Sequence, residues 1–203
     1  YIVEGGQTST GSIINWFRKL LGTVDLGELN AKAALLPPGS EGLLAQDHFQ
    51  GNRTPYTDAN SRGAFVGLTL SHEPHHLFRA IIEGICFGTR TILDGFNDGG
   101  LTSTEMTVGG GATASSLWMQ IHADTAGIPV RIPESTDAPS MGSAILAAHG
   151  TGHFATIDEG IDVMVKPGKL IEPDPVATAA YESVYQQYRA LYPVLKQIRE
   201  EAK

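Results

Sequence analysis

Apolar positions recur at helical spacing through much of the chain. Ile13, Ile14, Phe17, Leu20 and Leu21 lie three and four residues apart and predict an amphipathic helix that Gly22 stops. A second helix is expected from Asp25 to Leu36, with Asp25 as N-cap and Pro37-Pro38 as terminator. The strongest signal spans Glu73 to Phe96, where Leu77, Ile81, Ile85, Gly88 and Ile92 share a face that Ile82, Cys86 and Phe87 broaden. Pro74 fits its first turn. Further helices are predicted from Thr113 to Ala126, closed by Gly127, and from Met141 to His149, where Gly142, Ala144, Ala147 and Ala148 favour close packing on a neighbour. Asp174-Pro175 opens a last helix with Ala180, Val184, Tyr188, Leu191, Leu195 and Ile198 as its apolar stripe and a bend at Pro193. Short apolar runs at Gly42–Phe49, Met106–Val108 and Pro129–Ile132 read as strands. Strands alternating with helices make the chain α/β or α+β.

Length and charge narrow the class. The 203 residues, 41% hydrophobic, suit one core with room for a subdomain. Lys and Arg number 14 against 22 Asp and Glu, and the resulting charge of −8 argues against a broad nucleic-acid surface. No stretch approaches the roughly 18 uninterrupted apolar residues of a membrane span. Tyr1-Ile2-Val3-Glu4 lacks the pattern of a secretory leader. Those first three residues read as the middle or end of a strand, from which we expect a chain cut from something longer. Its bare edge would be covered by a partner segment or by a second copy in a homodimer. The single Cys86 excludes an internal disulfide and a multi-cysteine zinc site and suits a reducing compartment, so the expected location is cytoplasmic.

Two glycine-rich turns carry the candidate chemistry. Met106-Thr107-Val108 runs into Gly109-Gly110-Gly111 ahead of a helix whose first turn holds Ser115 and Ser116. Glycines at a strand end let backbone approach a ligand, and free N–H groups at a helix start attract anions. The pattern is neither the spaced dinucleotide fingerprint nor a phosphate loop, and a plain tight turn stays open. Gly5 to Gly11 forms a second such turn, with Asn15 one helical turn further on; a capped helix start is the competing reading. His72-Glu73-Pro74-His75-His76 satisfies the zinc-protease string, but Pro74 belongs at a helix start, which leaves His72 outside the helix and pointing elsewhere. Cys86 reads as an inert core thiol, and Trp16, Trp118 and the late tyrosines as core or interface residues.

Three segments in order resemble the C-terminal domain of the FGGY carbohydrate kinases. Gly63-Ala64-Phe65-Val66-Gly67-Leu68, followed after seven residues by His76 to Glu83, is similar to that family's second signature. Val108-Gly109-Gly110-Gly111-Ala112 with Ser115, Gln120 and Asp124 resembles its adenosine motif, and Ser140 to Ala148 its small-residue helix. Glu4-Gly5-Gly6 to Gly11 with Trp16-Phe17 aligns as well. The resemblance implies an actin-like, ribonuclease-H-like α/β fold in which two domains close over ATP–magnesium and a sugar. Residues 1–203 would be the nucleotide-binding C-terminal domain without its first strands. Gly11, Asn15, Gly110, Gly111 and Ser115 match positions lining the ATP pocket, and Ser115 stands where some members carry asparagine. The catalytic aspartate, the magnesium carboxylate and most sugar contacts would lie in the missing N-terminal domain, so no aspartate here is assigned as base. The chain alone is then expected to be inactive. The loops at Glu4–Thr8 and Phe49–Pro55 resemble ribulose-type pentulose kinases most, which favours a ketopentose substrate. A non-catalytic nucleotide-binding or sugar-sensing protein of the same fold is the alternative, and a zinc hydrolase built on residues 72–76 the weakest.

Overall fold

A computed structural model describes residues 2–22 and 24–201. Helix α1 (Gly11–Leu21) buries Ile13, Ile14 and Phe17 and leaves Leu20 exposed. In α2 (Leu26–Ala34), the Asp25 carboxylate accepts the Gly27 N–H at 2.7 Å, so the predicted N-cap forms. Strands β1 (Leu44–Gln46) and β2 (Ala64–Val66) pair antiparallel, Leu44 opposite Val66. Helix α3 (Pro74–Asp98) is the centre of the molecule: α1, α2, α4 and β1 all pack on it. Strand β3 (Met106–Thr107) leads through the glycine turn into α4 (Ser116–Ala126), which returns to β4 (Val130–Ile132) lying parallel to β3. Helices α5 (Ala138–Gly150) and α6 (Ile157–Met164) form a pair. Strand β5 (Lys169–Ile171) then joins β4 antiparallel to complete a three-stranded sheet, and α7 (Pro175–Glu201) closes the fold against α4, α3 and β1.

The sheet is covered by α4, and behind it Phe87 of α3 meets Tyr181, Tyr185 and Tyr188 of α7. The stripe of α7 is therefore Tyr181, Tyr185, Tyr188 and Leu191, rotated from the predicted one: Ala180 and Ile198 face solvent. The tyrosine rings bury more area than the alanine and isoleucine could, and their hydroxyls find polar partners inside. The helix runs unbroken through Pro193. Close packing through the small residues of α5 is not what forms either. Gly142 has open space around it, and α5 meets α6 through Ile145, against which Gly160 sits. Ile2 and Val3 are exposed and outside any strand, while Tyr1, the rest of the predicted edge, lies outside the described residues.

Two buried polar networks tie the helices together. Glu83, 2% exposed, accepts from Gly39 N–H, Ser40 Oγ, Arg79 Nε and the Tyr181 hydroxyl at 2.8–3.0 Å. Arg79, 5% exposed, also donates to the Ala33 carbonyl and the Tyr181 oxygen. One ion pair thus fastens α2, the turn before β1, α3 and α7. Asp47 accepts from Gln7 Nε2 at 2.9 Å and from the Tyr188 hydroxyl, and burial pushes its carboxyl above the usual range.

Candidate functional site

Gly110 sits at φ +81, ψ −171, a conformation closed to side chains bearing a Cβ, which explains a glycine at this bend. Its N–H is not free: it donates to the Thr136 carbonyl at 2.8 Å, tying the turn to the segment after β4. The chain then makes a 3-10 turn over Gly111–Ala114, so α4 begins at Ser116 rather than Thr113. The Gly111 and Ala112 N–H groups, first in that turn, take no backbone acceptor among the described residues. Ser115 caps α4 by accepting the Trp118 N–H at 3.2 Å, and its own hydroxyl donates to Asn30 Oδ1 at 2.6 Å.

This turn forms one lip of a cavity of about 280 Å³. Ile14 from α1, Leu26, Gly27 and Asn30 from α2, Phe78 from α3 and Trp118 from α4 supply its other walls. The lining is apolar apart from Asn30, Ser115 and the buried indole N–H of Trp118, and the size lies near the lower end of small-molecule sites. On its outer side, Gly111 and Ala114 also border an open groove of about 800 Å³ running along Gly109, Gly110 and Glu134–Pro139. Two carboxylates, Glu134 and Asp137, line that groove, and no lysine or arginine does.

Of the residues expected to form the site, Gly111 and Ser115 line the cavity and Gly110 lines the groove. Gly11 and Asn15 do not line the cavity. Both are exposed on α1, whose buried Ile14 does line it, so α1 borders the cavity through Ile14 and through neither of them. The expectation of two turns with free N–H groups is corrected for Gly110, which spends its donor on Thr136. Asn30, Leu26 and Phe78 were absent from the sequence expectation. The one signal available was a polar residue one helical turn after Leu26 on a short amphipathic helix.

Gln120 and Asp124, members of the adenosine-like motif, serve packing. Gln120 Nε2 donates to Asp124 Oδ1 and to the Glu172 carbonyl, and Asp124 Oδ1 accepts the Asp174 N–H at 2.8 Å, anchoring α7 to α4. Burial raises the Asp124 carboxyl. The histidine cluster departs from its expectation in one respect: the His72 and His76 rings lie 5.3 Å apart rather than pointing away from each other. Each Nδ1 nevertheless accepts a backbone N–H, from Thr69 and Glu73 respectively. Among the described residues no group of three or more His, Cys, Asp or Glu is arranged to hold a metal ion. Burial raises the Cys86 thiol well above its ordinary value, as for an inert core cysteine. Among the described residues no helix is long and apolar enough to cross a membrane.

Comparison with known proteins gives the family. Residues 1–151 match the model of the FGGY family of carbohydrate kinases, C-terminal domain. A xylulose kinase from Staphylococcus epidermidis is 32% identical over 98% of the chain and 40% of its own length. A ribulokinase from Halalkalibacterium halodurans is 33% identical over 93% of the chain and 37% of its length. The solved xylulose kinase of Rhodospirillum rubrum superposes with a TM-score of 0.82 at 32% identity, covering 96% of this chain and 40% of that one. The chain thus spans about 40% of the length of the curated relatives it matches. It has the ribonuclease-H-like α/β architecture of these sugar kinases, and it belongs to the FGGY family of carbohydrate kinases, a family of phosphotransferases, carrying the family's C-terminal domain.

Proposed function

We propose that residues 1–203 form the nucleotide-binding part of an ATP-dependent carbohydrate kinase whose substrate is a ketopentose such as ribulose. The xylulose kinase and ribulokinase relatives support that substrate class. The observation that carries the nucleotide reading is the junction at Gly111, where an apolar cavity sized for a planar base opens beside unpaired backbone N–H groups. A purine would occupy the space between Ile14, Phe78 and Trp118. Its polyphosphate would run over Gly110 and Gly111 toward the start of α1 at Gly11 and Asn15. Backbone donors suit phosphate there.

The same geometry limits what this chain does. The groove beside Gly110 carries two carboxylates and no cation, so it cannot neutralise a triphosphate by itself. Magnesium would accompany the nucleotide, held mainly by its phosphates and by residues beyond this chain. Phosphoryl transfer depends on positioning and charge neutralisation, and the base aspartate and sugar contacts are proposed for the family's N-terminal domain. The chain therefore binds nucleotide and turns over none.

Thermal unfolding of the chain with and without ADP tests this. ADP at one hundred times its dissociation constant adds about 2.7 kcal/mol, and so raises Tm by roughly 5–10 °C. Gly111→Val, which fills the lip of the cavity, abolishes that shift. No shift with ADP, or an equal shift with UDP, would remove the proposal, and sugar phosphorylation by the chain alone would refute the division of labour.

A further inference from the structure

We infer that Asn30, held in one orientation by Ser115, reads the six-position edge of the purine and selects adenine over 6-oxopurines. This rests on the nucleotide reading of the cavity. Besides the buried indole N–H of Trp118, which can only donate, Asn30 and Ser115 are the polar side chains of the lining, and Asn30 alone pairs a donor with an acceptor in one plane as a purine edge does. The distance between Ser115 Oγ and Asn30 Oδ1, 2.6 Å, is that of an O–H···O bond and short for N–H···O. Ser115 already accepts the Trp118 N–H, and its proton goes to Asn30. The carboxamide is thereby fixed with oxygen toward Ser115. Its Nδ2 has no acceptor among the described residues, and Oδ1 keeps a second lone pair.

A carboxamide free to turn over matches either purine class. Adenine offers an amino donor at N6 beside an acceptor at N1 or N7, whereas a 6-oxopurine offers an acceptor at O6 beside a donor at N1. Flipping the amide exchanges one match for the other. The Ser115 bond disfavours the flip, because a turned amide would hold Nδ2 at 2.6 Å from the hydroxyl, short for N–H···O. In the fixed orientation Oδ1 accepts from N6–H and Nδ2 donates to the neighbouring ring nitrogen, while O6 of hypoxanthine or guanine would face Oδ1, lone pair against lone pair. Ser115 is thus a positioning residue and Asn30 the reader.

Calorimetric titration with ADP and with inosine diphosphate, on the wild-type chain, Asn30→Ala and Ser115→Ala, decides the matter. The wild-type chain binds ADP at least tenfold more tightly than inosine diphosphate. Asn30→Ala weakens ADP about tenfold and brings the two within twofold. Ser115→Ala narrows the ratio chiefly by improving inosine diphosphate binding, a gain that loss of a helix cap alone would not produce. Circular dichroism of each variant checks that α2 and α4 persist; alanine is the better helix former at residue 30. Undiminished discrimination in both variants overturns the inference, as does a wild-type chain that binds both nucleotides equally and loses both in Gly111→Val, an outcome that leaves the nucleotide site standing. Absence of binding by either nucleotide overturns both.

Discussion

Replacing Glu83 with alanine is the most severe single change the interior invites. The carboxylate accepts four hydrogen bonds, one from a guanidinium, and its removal strands four donors at once. Arg79 keeps the Ala33 carbonyl and the Tyr181 oxygen but loses the only carboxylate paired with it among the described residues, inside a buried core. Breaking a buried pair from one side costs about 3–5 kcal/mol, and the orphaned Gly39 N–H and Ser40 hydroxyl weight the estimate to the upper half. For a chain of this length about 4 kcal/mol corresponds to a fall in Tm of roughly 8–16 °C. Urea unfolding followed by circular dichroism at 222 nm measures the loss. The double variant Arg79→Met with Glu83→Leu removes both charges while retaining volume, and should recover most of it. A Glu83→Ala loss below about 1 kcal/mol, or a double variant no better than the single one, would refute the claim that the uncompensated guanidinium is what costs.

Two other outcomes follow from the interior. Burial lowers the His122 imidazole to about 4, and its Nδ1 has no partner among the described residues. The unfolded chain takes up that proton near pH 6.5, so the contribution is whole above 6.5 and is lost as pH falls toward 4. Between pH 7 and pH 5 the wild-type chain should lose about 2 kcal/mol more than His122→Leu, measured by urea unfolding at the two values; equal losses would show that the imidazole is not held neutral. A Cβ at Gly84 would meet the Ala45 carbonyl at 2.3 Å, so Gly84→Val should lever α3 off β1 and cost about 2–4 kcal/mol, read as a lowered Tm. An unchanged Tm would mean that α3 yields there.

What could be read in advance divides by the kind of signal. Helices α1, α2, α3 and α7 announced themselves because an apolar stripe agreed with a boundary residue: Gly22 after α1, Pro74 in the first turn of α3, and the caps Asp25 and Asp174. Strands β2 and β5 and helix α6 gave no expectation. Each is short, and β5 exposes two of its three residues, so no alternation develops. The rotated stripe of α7 came from weighting alanine and isoleucine over tyrosine, whose hydroxyl needs an interior partner that sequence cannot display. Arg79 and Glu83 sit on the buried side of α3 for the same reason: a charge reads as solvent-facing until its counter-ion is found. At the site, Gly111 and Ser115 were legible as a turn motif. Asn30 was not, because 85 residues separate it from the serine that orients it.

The anchoring of Gln7 to Asp47, itself bonded to Tyr188, extends the reach of the last helix. Gln7 stands four residues ahead of the first turn of α1, and the arm bearing it has no regular hydrogen bonding of its own. Its position is shared between that tyrosine, through Asp47, and α3, where Gln7 also donates to the Ile85 carbonyl and accepts from the Thr89 hydroxyl. Fraying of α7 around residue 188 would therefore loosen one of the two supports of Gln7 and leave the other on α3, so the approach to Gly11 is braced from both helices at once.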